Sequence, residues 1–253
     1  SGAVILEEDQ GDERQGSMDF PPAIAVCDDG SVHIVTRHGG DWDSGHDIRY
    51  RRRSAAGSWD RDYIFGSRWK RNYVVGIGCA DSGHVVMFYS EGGDNVWGDL
   101  HLWEAGDEAA SDLGRLSDIW RSDGDARMRG DEGKIFLVSG KPDDGGAAYF
   151  LHGSAGAGLR DRLEASAQEH VAGSGRRGFP DLALDPAGGI HLTYGAQVTV
   201  FYNSYTFEGS REHGSDIELL SGLNDWHLST GLSAVAVSDD GSIVVAVALR
   251  SDG

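Results

Sequence analysis

Apolar and polar positions alternate along this chain in short runs, and Gly, Asp or Pro breaks each run. Residues 178–195, GFPDLALDPAGGIHLTYG, carry the full pattern. A run through Leu182, Ala183 and Leu184 leads to a turn on Asp185, Pro186 and Gly188, and a second run follows over Ile190–Tyr194. Such alternation bounded by turn residues predicts two antiparallel strands. The unit recurs at 21–37, 74–90, 125–140 and 232–249. Its turn glycines, Gly30, Gly83, Gly133, Gly188 and Gly241, are separated by 53, 50, 55 and 53 residues. A period near fifty with several strands per unit predicts radial repetition of small sheets, a β-propeller.

A third strand follows each of the first four cores, at 47–53, 99–104, 147–152 and 198–203. A fourth is clear at 59–65 and weaker near 116–120, 164–171 and 217–220. The expected fold is therefore all-β: a five-bladed propeller of four-stranded antiparallel blades, one domain over residues 1–253. The fifth unit supplies only two strands. Residues 3–8, AVILEE, precede the first inner strand by the spacing of a fourth strand. They are expected to complete the last blade, closing the ring and removing an exposed edge. The Gly/Ala-rich segment Gly153–Arg162 reads as a loop.

Composition changes this picture little. Thirty-eight Gly and five Pro fit a turn-rich all-β chain. Net charge is −19, from 22 basic and 41 acidic residues. That argues against nucleic acid, whose phosphates need a basic surface. No apolar run is long enough to cross a membrane. The first ten residues lack the pattern of a signal peptide, and because the chain does not begin with Met its localisation stays open. A monomer is expected. Cys27 and Cys79 end corresponding strands in neighbouring repeats. They read as small buried fillers, held by adjacent blades too far apart for a disulfide.

Chemistry sorts by face. The connections between second and third strands, and from a fourth strand to the next first strand, share one face; the tight turns share the other. The first face collects Trp42, Trp69, Trp97, Trp120 and Trp226, five of the seven tryptophans. It also holds Arg37, Arg71, Tyr73, Arg177 and His227. His33 and His191 fill a position that is Val86, Phe136 and Val244 in the other repeats, so they read as buried structural residues. His101 and His152, in third strands, read as surface residues. His38 occupies a variable position at a loop mouth, matched by Glu91, Lys141, Ala196 and Leu249. Asp19 and Asp125 stand just before inner strands, nearest the axis, where two carboxylates can serve as acid and base. No cofactor is expected. The alternate spacing of Asp41, Asp43 and Asp47 fits part of a calcium loop, a structural ion at most.

The segments DFPPAIAVCDDGSVHIVTRHG and GFPDLALDPAGGIHLTYG resemble blades of the sialidase-type, BNR-like propellers: Pro before the inner strand, Asp and Gly at the turn, then an apolar strand. The resemblance covers most of the chain and implies a carbohydrate-active propeller. Two departures limit it. Asp19 and Gly178 stand where sialidases carry Arg, so sialidase activity is not expected, and the aspartate box is reduced to SAAGSW at 54–59. Related propellers include uronate lyases with a His after a second strand, which His38 resembles. The expected function is an enzyme with one axial pocket for a small or carbohydrate-like ligand, hydrolase- or lyase-like. His38, Asp19, Asp125 and Tyr73 are the candidate catalytic residues. Arg37, Trp42, Trp69, Arg71, Trp97, Trp120, Arg177, Trp226 and His227 are the candidate ligand contacts. A lectin-like binding propeller and a small-molecule cyclase with an aromatic, acidic pocket are the alternatives. Loops that differ between repeats favour a single site.

Overall fold

Each alternating run forms a strand, and each strand pairs antiparallel with its neighbours in sequence. The computed structural model describes residues 22–38, 47–66, 71–92, 98–116, 121–122, 126–141, 147–170, 180–196, 199–221 and 233–247. The first sheet runs β1 (Ala23–Val26), β2 (Val32–His38), β3 (Asp47–Arg53) and β4 (Trp59–Phe65). The second comprises β5 (Arg71–Asp81), β6 (His84–Gly92), β7 (Gly98–Ala105) and β8 (Ala110–Arg115), with β9 (Arg121–Ser122) pairing beside β7. In the third, β10 (Ala126–Asp131), β11 (Lys134–Lys141) and β12 (Ala147–Ser154) are followed by helix α1 (Leu159–Ser166) and β13 (Gln168–His170). The fourth is β14 (Asp181–Leu184), β15 (Ile190–Ala196), β16 (Thr199–Tyr205) and β17 (Ile217–Leu220). β18 (Ser233–Val237) and β19 (Ile243–Val247) form the fifth. The opening strands β1, β5, β10, β14 and β18 touch one another in chain order. They are the inner strands of successive blades, and the fold is a β-propeller.

Burial on both faces explains the near-continuous apolar run HVVMFY. Val85 and Met87 point to one face and pack with Val35, Ile48 and Tyr50 of the first blade. Val86 and Phe88 point to the other and pack with Met128, Ile135 and Leu137 of the third. Phe136 and Val138 then meet Leu182, Leu192 and Tyr194 of the fourth. Period-two alternation thus sends successive residues to opposite neighbours.

The inner strands are rich in Gly and Ala because their backbones touch. A Cβ on Gly130 would lie 2.5 Å from the backbone carbonyl of Cys79 and 2.7 Å from the nitrogen of Ala80. The Gly133 N–H, one turn on, donates to the Ala80 carbonyl at 2.8 Å.

This closeness corrects the reading of the cysteines. Cys27 and Cys79 form a disulfide between the first two blades, with Cα atoms 5.5 Å apart. Blades splay at the periphery but converge at the axis; Cys27 directly follows inner strand β1 and Cys79 lies in inner strand β5, where adjacent blades meet. Three further corrections concern outer elements. Part of the expected loop 153–162 is the start of α1, which buries Leu159 and Leu163, one turn apart, against the second and third blades. Arg162 anchors the lead-in by donating to the carbonyls of Ser154, Ala155, Gly156 and Ala157. The fourth strand of the second blade is β8, N-terminal to the segment expected near 116–120. His101 is buried, not a surface residue. Residues 3–8, expected to complete the last blade, lie outside the described residues.

Candidate ligand site at the axial mouth

Topology places the ends of β2, β6, β11 and β15, the beginnings of β3, β7, β12 and β16, and the starts of the inner strands on one face. The backbones of Arg37 and His38 end β2 there, with His38 opposite Asp47. Those of Arg71 and Tyr73 open β5, with Arg71 opposite Gly92. Four of the expected residues, two from each of the first two blades, therefore share one face at the backbone level. Asp19, Trp42, Trp69, Trp97, Trp120, Asp125, Arg177, Trp226 and His227 lie outside the described residues, as do Asp41 and Asp43. Among the described residues no group of three or more His, Cys, Asp or Glu is placed to hold a metal ion.

Two charged side chains lie on inner strands near this face. Asp181 opens β14 and Arg127 is the second residue of β10, so both sit on inner strands a few residues below the rim. The Arg127 Nε stands 4.0 Å from Asp181 Oδ1, and the Val235 N–H of the fifth blade donates to Asp181 Oδ2 at 3.0 Å. One carboxylate thus joins the inner strands of three blades. Across the β14–β15 ladder Asp181 pairs with Thr193, so both face the same side. Thr193 is fully buried and its Oγ1 has no hydrogen-bond partner. A signal for Asp181 was present in the sequence. Seven residues before the five turn glycines stand Ala23, Gly76, Ala126, Asp181 and Ala234, so one charge interrupts a set of small residues.

The opposite end is built from histidines held in hydrogen-bonded chains. His33 Nδ1 lies 2.7 Å from the Tyr50 hydroxyl, and its Nε2 lies 2.8 Å from Ser31 Oγ. Ser31 in turn donates to the turn residue Asp29. His191 repeats the scheme between the Tyr202 hydroxyl at 2.7 Å and Asp185 Oδ2 at 2.9 Å. Midway along the second blade, His101 sits between the Tyr89 hydroxyl at 3.2 Å and Asp112 at 2.8 Å. In the His33 chain a neutral ring protonated on Nε2 satisfies both links: the Tyr50 O–H donates to Nδ1, and Nε2–H donates to Ser31 Oγ. Burial would raise the Asp185 carboxyl, but bonds from His191, Gly189 and Ala187 outweigh it and hold it below its ordinary value. His33 and His191 are thus the buried structural residues that their repeat position predicts.

Burial, followed by the nearby Arg52 charge, pushes His33 down to about 4 from 6.5. Its lowered value makes stability depend on pH. The unfolded chain takes up a proton on this ring as pH falls below 6.5, whereas the folded chain does not until about 4. The stabilisation is complete above that window and is lost as pH falls through it, by roughly 2–3 kcal/mol. Denaturant unfolding at neutral and mildly acidic pH should record this decline, and His33→Gln should flatten it.

No protein-family model and no curated sequence matches the chain. Solved structures do. An α-L-arabinanase from Penicillium chrysogenum, complexed with arabinobiose, superimposes with a TM-score of 0.57 at 10% identity, over 90% of this chain and 74% of that one. The fold decides the match. A polysaccharide lyase, an ulvan lyase, gives 0.53 at 13% identity over 97% and 67% of the two chains. A sialidase from Trypanosoma rangeli gives 0.51 at 11% identity over 89% of this chain and 43% of that one. At these identities the likeness establishes a shared architecture, the β-propeller.

Proposed function

We propose that the chain is a carbohydrate-active propeller that takes one saccharide at its axial mouth. The arabinanase, ulvan lyase and sialidase that share the fold all act on sugars, as their names state. The observation that carries a single site is the asymmetry of the axis: of five equivalent inner-strand positions, only Asp181 is charged. A lectin that repeated its site in each blade would repeat such a residue. Aromatic walls with a few polar groups suit a compact ligand. Trp42, Trp69, Trp97, Trp120 and Trp226 are the proposed walls, with Arg37, Arg71, Arg177 and His227 as polar contacts. In the hydrolase- or lyase-like reading His38 is the base, and Asp19, Asp125 or Tyr73 supplies the acid.

Titration calorimetry with neutral and uronate-containing oligosaccharides tests the binding step. A stoichiometry near one per chain is expected, and Trp42→Ala should weaken binding by roughly 1–3 kcal/mol, the scale of one buried aromatic contact. A stoichiometry near the number of blades would replace the enzyme with a lectin.

A further inference from the structure

We propose that Arg127 and Asp181, with Thr193 beside them, form a subsite for adjacent hydroxyl groups of an uncharged sugar; the assignment rests on the carbohydrate reading above. The position of Asp181 is costly. Its equivalents are Ala or Gly, and neighbouring inner strands approach closely enough for Gly130 to leave no room for a Cβ. A carboxylate in such a place must be held.

It is held from one side. Asp181 Oδ2 accepts the Val235 N–H at 3.0 Å, which fixes the carboxylate plane. The other oxygen, Oδ1, stands 4.0 Å from Arg127 Nε, beyond hydrogen-bond distance. The pair is therefore close enough to neutralise charge and open enough to admit a third group. Arg127 donates through Nη1 to the Ala126 carbonyl at 2.9 Å, which anchors the guanidinium while leaving other N–H groups to donate.

A carboxylate oxygen only accepts, and a guanidinium only donates. A hydroxyl does both, so one hydroxyl can donate to Asp181 Oδ1 while its neighbour accepts from Arg127. Vicinal hydroxyls of a sugar ring present that combination. Water competes less well because the site is only partly open: the side chains of Arg127 and Asp181 are 38% and 14% exposed. Thr193, fully buried, backs Asp181 from within the sheet. Its buried Oγ1 has no partner, and the ladder puts it on the Asp181 side of the sheet.

Charge selects the ligand class. The two side chains sum to zero, so the subsite offers no excess positive charge to a carboxylate or sulfate. The chain around it carries −19, which repels anions at long range. An uncharged pentose or hexose unit fits both conditions.

The test is calorimetric binding of arabinobiose and of galacturonic acid to the wild type and to Arg127→Gln, Asp181→Asn and Trp42→Ala. The wild type is expected to bind arabinobiose more tightly than galacturonic acid. Arg127→Gln and Asp181→Asn should each weaken arabinobiose roughly tenfold, the scale of one charge-assisted hydrogen bond. Asp181→Asn retains an oxygen for the Val235 N–H. Arg127→Gln makes no such bond and reports independently of folding; its melting temperature should stay near that of the wild type. Unchanged affinity in both variants, with Trp42→Ala still weakened, overturns the subsite and leaves the mouth reading standing. Tighter binding of galacturonic acid that is lost in Arg127→Gln overturns the uncharged ligand class. Absence of binding to either sugar by the wild type overturns the carbohydrate reading and this subsite with it.

Discussion

Reduction of the Cys27–Cys79 bridge is expected to lower the unfolding free energy by about 4 kcal/mol, the loop-entropy value for a cross-link spanning some fifty residues. The bridge spans 52 residues and joins two blades rather than two strands of one sheet. Its loss frees an unfolded chain that would otherwise be tied at the first two inner strands. Both sulfur-bearing residues are buried, at 5% and 6% exposure, so a reductant reaches them slowly in the native state. Cys27→Ser is the cleaner variant, although it also leaves a small polar group in a tight interface. Thermal unfolding of the oxidised wild type against this variant should differ by roughly 10 °C for a domain of this size. Equal melting temperatures, or two free thiols titrated in denatured but unreduced protein, would exclude the bridge. Disulfides persist in oxidising compartments. Expression in a reducing cytosol is therefore expected to give the less stable form.

Replacement of His38 by Ala is expected to lower turnover about 100- to 10,000-fold once a substrate is in hand, the usual contribution of one proton-transfer group. His38 closes β2 opposite Asp47, on the face where the inner strands begin. Its equivalents in other blades share no chemistry, so a conserved structural duty within the repeat does not account for it. The separation to look for is in kcat against binding. A base removed leaves calorimetric affinity for an unreactive sugar close to wild type, whereas a loop-capping residue removed lowers the melting temperature and affects kcat only through it. A full-rate His38→Ala enzyme would transfer the role to Asp19, Asp125 or Tyr73.

The blade repeat was legible because turn chemistry and strand alternation leave local marks. The third strands and β4 and β17 fall where the alternation places them. Outer elements were less legible. The segment of β8, ASDLGR, has a mixed surface pattern, and α1 has only two buried positions to show a helical period. Each depends on tertiary contacts that a short window does not record. The disulfide is not legible for a related reason: sequence spacing says which blades hold the cysteines but not that adjacent inner strands touch. Arg127 has no mark in the repeat, because the strand ARMRGD places Arg at alternate positions that look solvent-directed. Asp181 has one, in the single charge among small axial residues, and its meaning depends on inner strands that only the fold brings together.

Every contact between sheets described above joins blades that follow one another in the chain, and the inner strands touch in the same order. A chain emerging from the ribosome can therefore bury each blade against the one already made, without waiting for distant sequence. Contacts of short sequence separation form early and quickly, and growing chains tend to fold from the N-terminal end. Cys79 emerges well before the third blade is complete, so the cross-link can lock the first two blades as a seed. Each later blade then arrives as a docking event on a finished face, and the Asp181 bridge from the fourth blade to Val235 forms only after the fifth inner strand has emerged.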